Sequence, residues 1–116
     1  MGEPLFDEPG RALIEQPPPN VAALRAAVAQ IAPSRLPELH SHLAEATTNA
    51  ESTGSLAPIR AFTHHWSTVV AITRFPERES RLRELEAIVD SGSPDSRAAI
   101  KEIQALLAQA ETDAGL

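Results

Sequence analysis

The sequence predicts an all-α fold, a four- to five-helix bundle with a flexible Pro-rich N-terminal arm, and three observations predict it. Apolar residues recur three and four apart through most of the chain, which gathers them on one side of a helix. Much of the 42% apolar content is alanine, the strongest helix former, while only Phe6, Phe62, Trp66 and Phe75 are aromatic. No segment alternates apolar and polar residues as a half-buried strand would, and proline or glycine punctuates the periodic segments.

At 116 residues the chain has the length of one domain and can bury a core without disulfides or metal. The absence of cysteine removes thiolate ligands and suits a reducing cytoplasm. No basic segment leads into an apolar run, and no apolar window has the length of a membrane span. The expectation is therefore a cytoplasmic protein without a membrane partner. A net charge of −6 repels phosphate backbones and favours basic protein partners.

Residues 1–19 read as the arm, because Pro4, Pro9, Pro17, Pro18 and Pro19 each remove a backbone donor and restrict the preceding residue to extended conformations. Its apolar islands, Leu5-Phe6 and Leu13-Ile14, are candidates to rest on the domain or to dock on a partner. The helical domain is assigned to 20–116. Asn20 is placed as the N-cap of a first helix over 20–32, with Val21, Leu24, Val28 and Ile31 inward. Pro33 ends it and Ser34 is placed as the next cap. A second helix over 35–51 puts Leu36, Leu39 and Leu43 on one stripe and is expected to fray from Thr47 to Asn49.

A third helix over 58–74 carries Ile59, Phe62, Trp66, Val69, Val70, Ile72 and Thr73 on a broad apolar stripe, with Arg60, His64, Ser67 and Thr68 opposite, and is expected at the centre of the bundle. Helices one, two and four are expected against it. The fourth, over 76–90, turns Leu82 and Leu85 inward and pairs Glu77 with Arg81 and Glu79 with Arg83 at i, i+4 spacing. Ser91-Gly92-Ser93-Pro94-Asp95 then ends one helix and starts another over 94–112. Ile100, Ile103, Leu106 and Leu107 give that last helix an apolar seam, which packs at home or covers a partner's groove.

The four histidines invite a metal, but neighbours on one helix diverge: His40 and His42, or His64 and His65, cannot chelate as intrahelical pairs. Glu38, His42 and Glu45 share a face that reads as solvated. His65, at the stripe's edge beside Trp66, reads as a hydrogen-bonded, partly buried imidazole. There is no cysteine nucleophile, the serines serve caps and loops, and the five glycines form no phosphate-cradling loop. Arg74, Arg78, Arg81 and Arg83 interleave with acids, which cancels the field a nucleic-acid backbone needs. Catalytic, metal and cofactor residues are therefore assigned to none.

Leu56-x-Pro58-Ile59, Trp66 and Val69-Val70-Ala71 resemble a small all-helical family of uncharacterised proteins from high-GC bacteria, over about residues 17–90. That family is associated with RelE/ParE-type toxin genes, so the resemblance implies an antitoxin-like role and no catalytic residues. The expected function is non-enzymatic: an antitoxin-like or regulatory subunit that occludes a basic surface of a partner protein. Candidate contact residues are Leu5, Phe6, Leu13, Ile14, Ile100, Ile103, Leu106 and Leu107, over a core of Leu24, Val28, Leu39, Leu43, Ile59, Phe62, Trp66, Val69, Leu82 and Leu85. The alternatives are a small dimeric DNA-associated regulator and an uncharacterised enzyme or metal protein. A homodimer is compatible with each.

Overall fold

A computed structural model describes residues 11–116 as five helices: α1 (Val21–Ile31), α2 (Leu36–Thr53), α3 (Ala57–Thr73), α4 (Pro76–Asp90) and α5 (Ser96–Asp113). A 3-10 turn, Pro33–Arg35, joins α1 to α2, and no strand occurs among the described residues. None of the described helices is long and apolar enough to cross a membrane.

The helix ends follow from local chemistry. Asn20 caps α1 as expected, its side chain accepting the Ala23 N–H at 2.8 Å. Ser34 does not cap α2; it lies inside the 3-10 turn, and Arg35 stands at the N-cap with its guanidinium on Glu38 in the first turn. α2 also does not fray at Thr47. It runs on to Thr53, with the Thr47 and Thr53 hydroxyls donating to the carbonyls of Leu43 and Asn49 within the helix. Gly54 then stops it at φ +70°, where a side chain would be strained. Phe75 is extended before Pro76, which separates α3 from α4. α5 starts at Ser96, later than expected, since Pro94 and Asp95 are used in the turn.

α3 is central and touches every other helix. Its side chains feed two cores. The first joins Leu24 and Val28 of α1, Leu39 and Ala46 of α2, and Phe62, Trp66 and Val70 of α3. The second joins Ala71 and Ile72 of α3 to Ala110 of α5, with Leu82, Leu106 and Ala114 against them. Of the expected core, Leu24, Val28, Leu39, Phe62, Trp66 and Leu85 are buried, while Leu43, Ile59, Val69 and Leu82 sit half-buried at its edge. The expected order of packing changes in one respect: α4 pairs mainly with α5, as a helical hairpin laid on α3. α5 therefore packs on its own chain.

The described part of the arm is held in place. The Leu13 N–H donates to the Arg74 carbonyl at 2.7 Å, Arg74 Nη1 donates to the Ile14 carbonyl at 3.1 Å, and Gln16 Nε2 donates to the Ser67 carbonyl at 3.1 Å. Residues 11–19 thus form a strap along α3, not a free arm, and Ile14 packs on the first core. The strap explains why Ser67, placed on the polar side of α3 by its periodicity, is buried. Leu5 and Phe6 lie outside the described residues.

The molecule is a plate, 50 × 45 × 25 Å, with a radius of gyration of 16.2 Å. A compact domain of this length has a radius of about 13 Å. The hairpin contributes only Leu85, Ala99 and Ala110 to the buried apolar set.

Candidate docking groove

α3 is flanked by α1 and α2 on one side and by the strap and α5 on others, which leaves one of its faces open. Along that face His65, Val69 and Ile72 follow one another at helical spacing, and on α4 Glu79, Leu82, Arg83 and Glu86 do the same. Between them runs a groove of about 420 Å³. Its floor is Val69, Ile72, Leu82 and Leu107; Thr68 and Thr73 form the α3 wall, and Arg35 and His65 close the rim opposite α4.

The charges around the groove are balanced. Arg83 pairs with Glu79 at 3.1 Å and Arg35 with Glu38 at 3.1 Å, whereas Glu86 has no ion pair among the described residues. Half of the net charge of −6 comes from Glu3, Asp7 and Glu8, which precede the described residues.

Behind the rim is an aromatic cluster. Trp66 is buried, and its Nε1–H donates to Nδ1 of His42 at 2.9 Å. Nδ1 of His42 is thus the accepting nitrogen, which leaves Nε2 as the ring's donor. Its ring lies 5.0 Å from Phe62 and 5.5 Å from His65 between centroids, and the Arg35 guanidinium sits 5.2 Å from the Trp66 ring. Glu38 and Glu45 are exposed, as expected of the face they share with His42, but His42 is not: it is half-buried and turned onto the only donor the indole has. His65 makes no hydrogen bond; it stands edge-on to Trp66 at 5.3 Å. Partial burial pushes the His65 imidazole below its ordinary pKa, the neighbouring His42 and Arg35 add to the effect, and Glu38 opposes it. His64 reaches Glu111 of α5 at 3.3 Å. The histidines thus meet across helices, a juxtaposition that angles along a single helix do not reveal.

The arginines of α4 work within the fold. Arg81 makes a two-pronged bond to Glu102 across the hairpin, at 2.7 and 2.8 Å, and a further one to Glu84. This replaces the expected Glu77–Arg81 pair, since the planar guanidinium matches a carboxylate held on the facing helix. The hydrogen bond from Arg81 holds the Glu102 carboxyl below its usual range. Arg78 pairs with Asp113 at 2.6 Å, and both Arg74 and Arg78 lie over the Phe75 ring. Burial alone would raise the Asp113 carboxyl, but hydrogen bonds from Arg78 and Gln109 outweigh it and lower it.

The candidate contact residues separate into distinct places. Ile14 packs at home and Leu13, 57% exposed, stands on the strap, away from the groove. Ile100 and Leu107 remain 42% and 37% exposed, with Ile103 half-buried on the same side of α5; Leu106 points into the second core. Only Leu107 of these lines the groove. Sequence reading missed Arg35, Ile72 and Glu86 as groove residues. The one available signal was the breadth of the α3 stripe, wider than a single neighbour covers. Among the described residues no three His, Asp or Glu side chains are grouped to hold a metal ion. No family model, curated protein or solved structure matches this chain.

Proposed function

We propose that the chain is a non-enzymatic protein-binding module, a regulatory subunit that acts by covering a surface of another protein. The groove carries this reading. Four aliphatic side chains form its floor, and Arg83 and Arg35 on its borders are already paired to carboxylates, so it suits the apolar face of one helix better than a polar small molecule. The net charge of −6 favours a partner with a basic surface. The antitoxin-like form of the proposal, occlusion of a toxin-like protein, comes from the family resemblance.

The test is affinity purification of the tagged full chain from cells that express it, followed by mass spectrometry, in parallel with Leu107→Glu. A discrete protein retained by the wild type and lost from the folded variant is the expected result. Equal retention by both would remove the groove as the docking site.

A further inference from the structure

The α4–α5 hairpin carries more aliphatic surface than it buries. Leu82 and Val89 lie seven apart on α4, hence on one face, and Ile100, Ile103 and Leu107 form the matching stripe on α5. None of these five is buried, and the face they make continues the groove, whose floor includes Leu82 and Leu107. A face of this kind in contact with water is unfavourable and calls for a cover.

The charges on it select the cover. Down α4 the groove side reads Glu79, Arg83, Glu86: acid, base, acid, one helical turn between each. A partner of one charge sign would meet repulsion from at least one of them. An antiparallel copy of the same helix meets attraction instead, because a twofold axis passing near Leu85 sets Arg83 of each copy against Glu86 of the other and brings Leu82 towards Val89. Glu86, without an ion pair among the described residues, gains one in this arrangement, and Arg83, whose side chain is 75% exposed, is shared between Glu79 of its own chain and Glu86 of the other.

We infer that the groove and the α4–α5 face are occupied by a second copy of this chain, in a twofold dimer held by apolar contact and reciprocal Arg83–Glu86 pairs. The inference rests on the reading of the groove as a docking surface and names its occupant. A partner protein would then bind the dimer and depend on Leu107 through it.

Sedimentation equilibrium of the full chain over a concentration series tests it, with Arg83→Glu, Glu86→Arg, the double exchange, and Arg25→Glu on the outside of α1 as control. The wild type and the control should dimerise, each single reversal should weaken dimerisation about tenfold or more, and the double exchange should restore it. Restoration separates a charge contact from a fold defect, since misfolding by either change alone would not be cured by the other. Circular dichroism confirms helix content for each variant. A wild type that stays monomeric throughout overturns the inference, and so does a dimer indifferent to both reversals and to Leu107→Glu. A monomer that still retains a cellular protein in a Leu107-dependent way would leave the docking reading standing and remove only the second copy.

Discussion

The bond from Trp66 Nε1–H to His42 Nδ1 joins α2 to α3 inside the first core. A buried indole must place its one donor, and no other acceptor is bonded to it, so His42 carries that duty alone. His42→Phe keeps a ring against Phe62 but removes the acceptor, leaving the donor unsatisfied. The variant should lose about 1–3 kcal/mol of stability, read from urea unfolding followed by the fluorescence of the single tryptophan. A midpoint unchanged from wild type would mean that the indole finds another partner. His65, beside it, sets a pH dependence. Its pKa in the folded chain lies below the ordinary value of 6.5, so the unfolded chain binds more protons as pH falls past that value. Stability from this group is full above about pH 6.5 and is lost on acidification. His65→Gln should flatten the fall in the urea midpoint between neutral and mildly acidic pH, in proportion to what His65 contributes beside Arg35, Glu38, His42 and His64.

At the scale of the element, the helices were legible because their signals are local. Asn20 before an apolar three-four stripe, Pro58 in a first turn, and Gly92 at φ +70° after α4 each act through the backbone of a few residues. Where helix limits moved, local preference did not decide: α2 ran past its weak stretch to Gly54, and the turn took Pro94 and Asp95 from α5. Exposed Glu77 was assigned Arg81 by spacing, yet the facing Glu102 takes it, because a ligand across a helix pair can align with both guanidinium nitrogens. The groove was the least legible. Val69 and Leu82 were recognisable as apolar, but whether a half-buried position borders a core or an opening depends on what lies over it.

Over the whole molecule, α3 is shared between two cores of unequal quality. The first buries Trp66, Phe62, Leu24, Leu39 and Val28, whereas the second is built on Ala71, Ile72 and Ala110, with half-buried leucines around them. Apolar burial scales with area, so the α4–α5 hairpin is the weaker half of the plate. Native-state hydrogen exchange should show α4 and α5 opening at lower free energy than α1 to α3. Their protection should rise with protein concentration if the hairpin face is covered by a second copy. Equal protection of all five helices would contradict the two-core description.

By itself the sequence determined the all-α class, the order of the helices, the breaks between them and the burial of Trp66, because each follows from periodicity and capping within a few residues. Tertiary structure alone decided that the strap lies on Ser67, that His42 serves Trp66, that α4 pairs with α5, and that a face of α3 stays open. The physical reason is that periodicity states which side of a helix is apolar. Which neighbour covers that side is settled by packing between segments far apart in the chain, and no local spacing encodes it.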